Sequence, residues 1–232
     1  MATKKERTKR VEPEMISDFP IFEGLSPVVL QEVADRMKVH EQPKYQYIYM
    51  ADEPSAHVFF LIRGAIKIGT HSSDGREVIK SILHPRAVFG ELCLVGEEYR
   101  QEFARCMNSG VQYYSLACDD LRSLIEQHPA LSLNFLQTVG GRLRQAENRL
   151  ESLVFKDART RIIEFIKDSA NKCGRRVGYE MLLKHCLTQQ DIANLTGTSR
   201  QTVTSVLNDL KKSNLIYFNR NSILIRDLAN LS

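Results

Sequence analysis

Arg200, Gln201, Thr204 and Ser205 place four hydrogen-bonding side chains within six residues. Their chemistry is that of reading base edges. An arginine can meet guanine with two parallel hydrogen bonds, and amides and hydroxyls can bond to bases or phosphates. The surrounding residues indicate how these groups are presented. Ile192, Leu195, Val203, Val206, Leu207 and Leu210 recur at helical intervals on either side of Gly197. Ala193 is small where two helices would cross, Gly197 can take the positive φ of a tight turn, and Val203 returns the second helix onto the first. Thr188 with Asp191, and Thr198 with Gln201, resemble capping boxes, one for each helix. From Leu187 to Leu207 the pattern predicts a helix-turn-helix whose second helix enters the major groove.

An ordinary helical hairpin would share those caps and that apolar face. The residues that follow argue against it. Lys211 and Lys212 lead into an apolar run ending at Phe218, residues 219–222 form a turn cluster, and Ile223–Ile225 return as a second strand. That is a β-wing with Arg220 at its tip. Position in the motif assigns phosphate contacts to Thr188, Gln189, Ser199, Thr202, Lys211 and Arg220, and base-edge contacts to Arg200, Gln201, Thr204 and Ser205. Charge agrees. Residues 156–232 hold 13 Lys+Arg against 7 Asp+Glu, whereas residues 11–155 hold 14 against 20. A basic unit on an acidic body suits a polyanionic partner. Residues 4–10 read as part of a basic, solvated tail.

Residues 45–118 alternate short apolar runs with turn residues. The runs are 45–49, 57–62, 65–68, 78–83, 103–106 and 111–116, broken at Pro54, Gly64, Gly75, Pro85 and Gly110. This spacing predicts a sandwich or jelly roll, beginning at Pro43 after a helical lead-in over Ser26–Val39. A long helix over Pro129–Val154 follows, with apolar positions Leu136, Val139, Leu143, Ala146, Leu150 and Leu153. Their alternating intervals of three and four give a narrow coiled-coil seam and predict self-association. Gly140 and Gly141 mark a close approach or a bend. The five cysteines are an odd number without a Cys-x-x-Cys pair. That argues against a disulfide framework or a zinc ribbon. No apolar run approaches the roughly 20 residues of a membrane span, and the charged start lacks a signal-peptide core. A reduced, cytoplasmic protein is expected.

The order β-roll, dimerising helix, winged helix-turn-helix resembles the catabolite-activator (CRP/FNR) family of bacterial transcription regulators. Residues 59–68 resemble its strand–glycine–strand signature around Gly64, residues 89–94 with Arg100 its phosphate-binding cassette, and Thr188–Leu210 its DNA-reading motif. The resemblance implies an α+β chain with a cyclic-nucleotide-binding-like β-roll. Its parts are a basic flexible tail (1–14), a roll with short flanking helices (15–128), a dimerisation helix (129–155) and a winged helix-turn-helix (156–232). It implies a homodimer on a pseudo-palindromic double-stranded DNA site, contact with RNA polymerase, and no enzymatic activity. The ligand cassette would be Gly90, Glu91, Leu92, Arg100 and Gln101. In relatives that bind cyclic nucleotides, the glycine and the turn after it meet the phosphate, the glutamate the ribose and the arginine the phosphate charge.

This sequence keeps Gly90, Glu91 and Arg100 but departs around them. Gln101 and Glu102 stand where relatives have small residues, and Ala146 and Glu147 where cyclic-AMP binders have hydroxyls. Strand alternation would turn Glu102 to the side of Arg100 and set a carboxylate against an incoming phosphate. Cyclic AMP is therefore not expected in the usual mode. The alternatives are a cyclic-nucleotide-responsive regulator that uses the retained cassette, and a thiol- or redox-responsive one acting through Cys93 or Cys106. No metal site is expected, since the histidines are scattered without a His-x-His pair.

Overall fold

Residues 58–62 are apolar without interruption, and the strand they form is buried on both faces. A computed structural model of the chain describes residues 10–75 and 77–231. Its first elements are α1 (Pro13–Ile16), α2 (Pro27–Arg36), β1 (Lys38–Gln42), β2 (Tyr47–Tyr49), β3 (His57–Arg63), β4 (Ile66–His71), β5 (Glu77–Leu83) and β6 (Val88–Phe89). There follow β7 (Phe103–Cys106), β8 (Val111–Ala117), α3 (Cys118–Gln127), α4 (Pro129–Phe155), α5 (Ala158–Cys173), β9 (Arg175–Val177) and β10 (Glu180–Lys184). The last are α6 (Gln189–Thr196), α7 (Arg200–Lys212), β11 (Ile216–Phe218) and β12 (Ser222–Ile225). Two compact units emerge, one of residues up to 70 with 81–144, the other of 71–80 with 145 onward.

Two four-stranded sheets, in orders β1-β8-β3-β6 and β2-β7-β4-β5, make the β-roll. The run in β3 serves two cores. Val58 and Phe60 pack with residues of α2 and α3, whereas Leu61 joins Ile66, Ile68, Ala104, Val111 and Tyr113 in a second cluster drawn from both sheets. A strand covered on both sides needs no polar alternation. Ser26 caps α2 by accepting from the Val29 amide at 3.4 Å. That helix stops at Arg36, and Val39 lies in β1, so the helical lead-in is shorter than expected and the roll starts before Pro43. The tail is also shorter. Residues 1–9 lie outside the described residues, but Val11 is 2 % exposed within the helical core and Pro13 opens α1.

In the C-terminal residues, α5, α6 and α7 pack with the sheet β11-β12-β10-β9 around Ile162, Ile166, Ile192, Val203, Leu207 and Ile223. Asp157 caps α5 by accepting from the Thr160 amide at 2.7 Å. At the other end of α5, the Gly174 amide donates to Ala170 O at 2.8 Å, and a Cβ there would fall 2.3 Å from the same oxygen. Gly174→Ala is therefore expected to cost about 1–3 kcal/mol of stability through overpacking. A urea titration checks this, and an unchanged midpoint would contradict it.

Candidate functional site

The helix pair is fixed at both starts. Thr188 caps α6, accepting from the Asp191 amide at 3.0 Å, while Asp191 Oδ2 accepts from the Thr188 amide at 2.8 Å and its hydroxyl at 2.7 Å. Gly197 ends α6 at φ +61°, the left-handed conformation that glycine adopts readily. The cap of α7 is Ser199, which accepts from the Thr202 amide at 3.0 Å; Thr198, expected in that role, bonds to Thr196 at 3.1 Å instead. The turn is one residue longer than the sequence spacing suggested. Ala193 and Val203 are fully buried at the crossing. Val203, Val206, Leu207 and Leu210 form the inner face of α7, which leaves Arg200, Gln201, Ser205, Asn208 and Lys211 exposed.

Among the other expected DNA-contacting residues, several serve the fold first. Thr188 and Ser199 are caps, Thr202 shares its hydroxyl with Ser199 at 2.8 Å, and Thr204 donates to Gln189 Oε1 at 2.7 Å, joining the starts of α6 and α7. The wing is a hairpin with Phe218 opposite Ile223, and Arg220 is exposed in its turn. The Asn219 side chain accepts from the Asn221 amide at 2.9 Å and holds that turn. His185 N donates to Asn221 O at 2.9 Å, so the wing turn lies at the end of the sheet from which the chain enters α6. Lys211 reaches back over the Tyr217 ring at 5.2 Å. The strands β9 and β10 were not expected from the sequence, yet β10 is the central partner of the wing.

The cassette turns at Gly90 (φ +71°), where a Cβ would sit 3.0 Å from both Arg100 Nη1 and Phe59. Arg100 is only 2 % exposed. Its Nη1 donates to Gly90 O at 2.8 Å, its Nη2 to His57 O at 2.5 Å, and its Cζ lies 4.4 Å over the Tyr49 ring. Its acidic partner is Glu97, at 3.4 Å, and not Glu102. Glu97 also accepts from Ser55 Oγ at 2.8 Å and from the Gln101 amide at 3.2 Å. Alternation fails as a guide because Gln101 and Glu102 form a bend and β7 starts only at Phe103. Glu102 accepts from Tyr49 Oη at 3.5 Å. Burial, then the Glu102 carboxylate, keeps the Tyr49 proton in place.

Gln101 does not join the cassette. It is exposed, and its side chain turns back to Tyr99 O at 3.5 Å. Leu92 is 43 % exposed, whereas Glu91 is buried and its carboxylate pairs with Arg142 of α4, which also donates to Val88 O. Helical spacing sets Arg142 and Arg149 beside the apolar seam and gives neither a partner. Arg149 instead donates to Lys80 O and Leu195 O, each at 2.6 Å, and so caps the edge strand β5 and the end of α6. Neither arginine could be assigned a partner from the sequence, because their acceptors are mostly backbone carbonyls far along the chain. Cys106, one of two thiols considered as sensors, has its pKa pushed up to about 11 by burial, which disfavours the reactive thiolate.

The seam residues remain open on α4. Leu136, Leu143, Leu150 and Leu153 are 66 %, 59 %, 65 % and 44 % exposed, Ala146 is exposed, and Val139 is half-buried. Gly140 and Gly141 lie within the continuous helix, and a Cβ on either meets nothing within 4 Å. They mark no close approach within the chain. Among the described residues no His/Cys/Asp/Glu group could hold a metal, and no helix is long and apolar enough to cross a membrane.

Two family models match, a cyclic nucleotide-binding domain over residues 39–128 and a Crp-like helix-turn-helix domain over residues 160–232. The chain is 31 % identical to a CRP-like cAMP-activated global transcriptional regulator of Mycobacterium tuberculosis, over 94 % of this chain and 97 % of that one. It is 29 % identical to a global nitrogen regulator of Synechocystis, over 90 % and 89 %. The structure of FixK2 from Bradyrhizobium japonicum shares the fold, with a TM-score of 0.74 at 23 % identity over 84 % of this chain and 97 % of that one. The relatives matched by sequence carry the names of regulators and not of enzymes. A nucleotide-binding-type roll, a long helix and a capped, basic helix-turn-helix, in that order, place the chain in the CRP/FNR family of DNA-binding transcription regulators.

Proposed function

We propose that the chain works as a homodimer that reads a pseudo-palindromic duplex through α7. The observation that carries this reading is the outer face of α7. Arg200, Gln201 and Ser205 stand exposed opposite a buried apolar face, and Thr204 is tied to Gln189 beside them. Arg200 contacts guanine, and Gln201, Thr204 and Ser205 complete the base-edge set. Arg220 in the wing and Lys211 at the end of α7 meet phosphates, together with the groups of Thr188, Gln189, Ser199 and Thr202 at the two helix starts. Two such units related by a dyad read half-sites about 34 Å apart. As a transcription regulator, the bound dimer presents its remaining surface to RNA polymerase.

Salt titrations on matched and mismatched duplexes test the roles. Arg200→Ala is expected to remove about 1–3 kcal/mol of sequence discrimination. Arg220→Ala should lower affinity for every sequence and reduce the salt slope by about 1. Equal losses on all sequences for both variants would contradict the assignment.

The roll takes an effector other than cyclic AMP held in the usual way. Arg100 already spends both terminal nitrogens on Gly90, His57 and Glu97. A phosphate arriving there must displace a carboxylate bonded from three sides or remain beside it. Glu91, the group for a ribose hydroxyl, is held by Arg142. Ala146 and Glu147 supply no hydroxyls for a base. The retained trio Gly90, Glu91 and Arg100 favours a second reading, a cyclic nucleotide that displaces both ion-pair partners. Isothermal titration with cyclic AMP separates them. No heat at micromolar ligand is expected, and micromolar binding would establish the second reading.

A further inference from the structure

We propose that Arg161 is a positioning residue for DNA reading, whose guanidinium locks the corner between α6 and α7 and so sets the angle of α7. This role rests on the reading that α7 meets the bases. The last carbonyls of a helix have no partner within it. At the end of α6 and in its turn, three successive carbonyls accept from arginines on other helices. Leu195 O accepts from Arg149 Nη2 at 2.6 Å, Thr196 O from Arg161 Nε at 2.8 Å, and Gly197 O from Arg161 Nη2 at 3.1 Å. The third nitrogen of Arg161, Nη1, donates to Lys156 O at 2.6 Å. One guanidinium thus joins the bend between α4 and α5 to the turn between α6 and α7. Its base is fixed, since the neighbouring Ile162 and Ile166 are fully buried and Asp157 caps the same helix. The turn also rests on α4, where a Cβ at Gly197 would fall 2.7 Å from Leu153 Cδ2.

Arg200 opens α7, three residues after Gly197. A reading side chain must be held within about 0.5 Å and 10–20° of its productive geometry, so the direction of α7 decides whether Arg200 meets guanine with both hydrogen bonds. A guanidinium suits this corner because it is planar and offers its donors in a rigid fork. Nε and Nη2 meet two adjacent carbonyls while Nη1 reaches a third on another segment. Lysine carries the same charge on a single nitrogen and cannot hold all three. A cation near a helix C-terminus also interacts favourably with its dipole, and lysine would keep that part. The corner therefore acts through geometry. All three nitrogens of Arg161 face backbone carbonyls, so the residue acts on α7 and not on a phosphate.

The test measures binding of the full chain to a duplex selected from a random pool and to mismatched duplexes, over a range of salt. Arg161→Ala should reduce the ratio of matched to mismatched affinity by about tenfold, as loss of a bidentate base contact would. Its affinity for unrelated duplex and its salt slope should stay unchanged, whereas loss of a phosphate contact would lower both. A merely destabilised chain would lose active fraction on every duplex alike. Arg161→Lys keeps the charge, should also lose most of the discrimination, and carries the test if the alanine variant does not fold. An unchanged ratio, full rescue by lysine, or a salt slope lowered by about 1 would each overturn the role. So would failure of both variants to fold, since Arg161 would then hold the fold and not the angle. Arg200→Ala on the same duplexes separates the two readings. Discrimination lost there but kept in Arg161→Ala overturns the corner alone, and discrimination kept in both overturns reading through α7 as well.

Discussion

Replacing Leu143 and Leu150 together by lysine is expected to leave the chain monomeric and to lower its affinity for a two-half-site duplex by about 100- to 10,000-fold. Both leucines are more than half exposed on one chain, on a stripe that repeats every three and four residues. Burying a leucine against a partner contributes about 1.5–3 kcal/mol, and a dyad repeats each contact. Lysine removes that gain and adds like charges across the seam. The affinity loss has a separate origin. A dimer docked on one half-site holds its second reading helix at high effective concentration over the other, and a monomer does not. Sedimentation gives the oligomeric state and titration against duplexes with one or two half-sites gives the ratio. Unchanged affinity for the single half-site combined with loss on the double site is the expected signature. A variant that still sediments as a dimer would contradict the seam.

Arg100→Ala is expected to destabilise the protein by about 3–5 kcal/mol, the range for breaking a buried ion pair by removing one partner. Glu97 would keep its charge with its side chain 9 % exposed, and the carbonyls of Gly90 and His57 would each lose a donor. The stacking over Tyr49 would go as well. Glu97→Gln should cost less, because its amide oxygen can still accept from Ser55 and the Arg100 cation keeps the carbonyls of Gly90 and His57 as acceptors. Thermal unfolding of the two variants checks the order. If Arg100→Ala melts with the wild type, the arginine is held open for a ligand and the reading of the cassette changes. The test also qualifies any ligand titration on Arg100→Ala, since loss of binding there includes loss of fold.

Features written in local spacing were legible in the sequence. The Thr188 cap, the Gly197 turn and the buried face of α7 follow from residues within four of each other, and the wing from a short turn cluster between two apolar runs, because caps, turns and helical faces are local physics. Features that depend on distant partners were not. Glu97 lies outside any regular element, where neither helical nor strand periodicity says which way a side chain points. The roles of Arg142 and Arg149 stay hidden because helical spacing is silent about carbonyls on other elements. The strands β1 and β9 are short and rich in Lys, Arg, His and Glu, so they lacked the apolar alternation that marks a strand. The misplaced cap at Thr198 differs, since Thr198 and Ser199 are adjacent hydroxyl residues and only the backbone chooses between them.

Hydroxyl-radical footprinting on a duplex selected from a random pool addresses the dyad reading most directly. Two protected backbone segments, symmetric about a centre and one helical turn apart, are the expected pattern, and Arg200→Ala should erase both together. One asymmetric patch, or uniform protection at every salt concentration, would contradict a paired molecule that reads bases through α7.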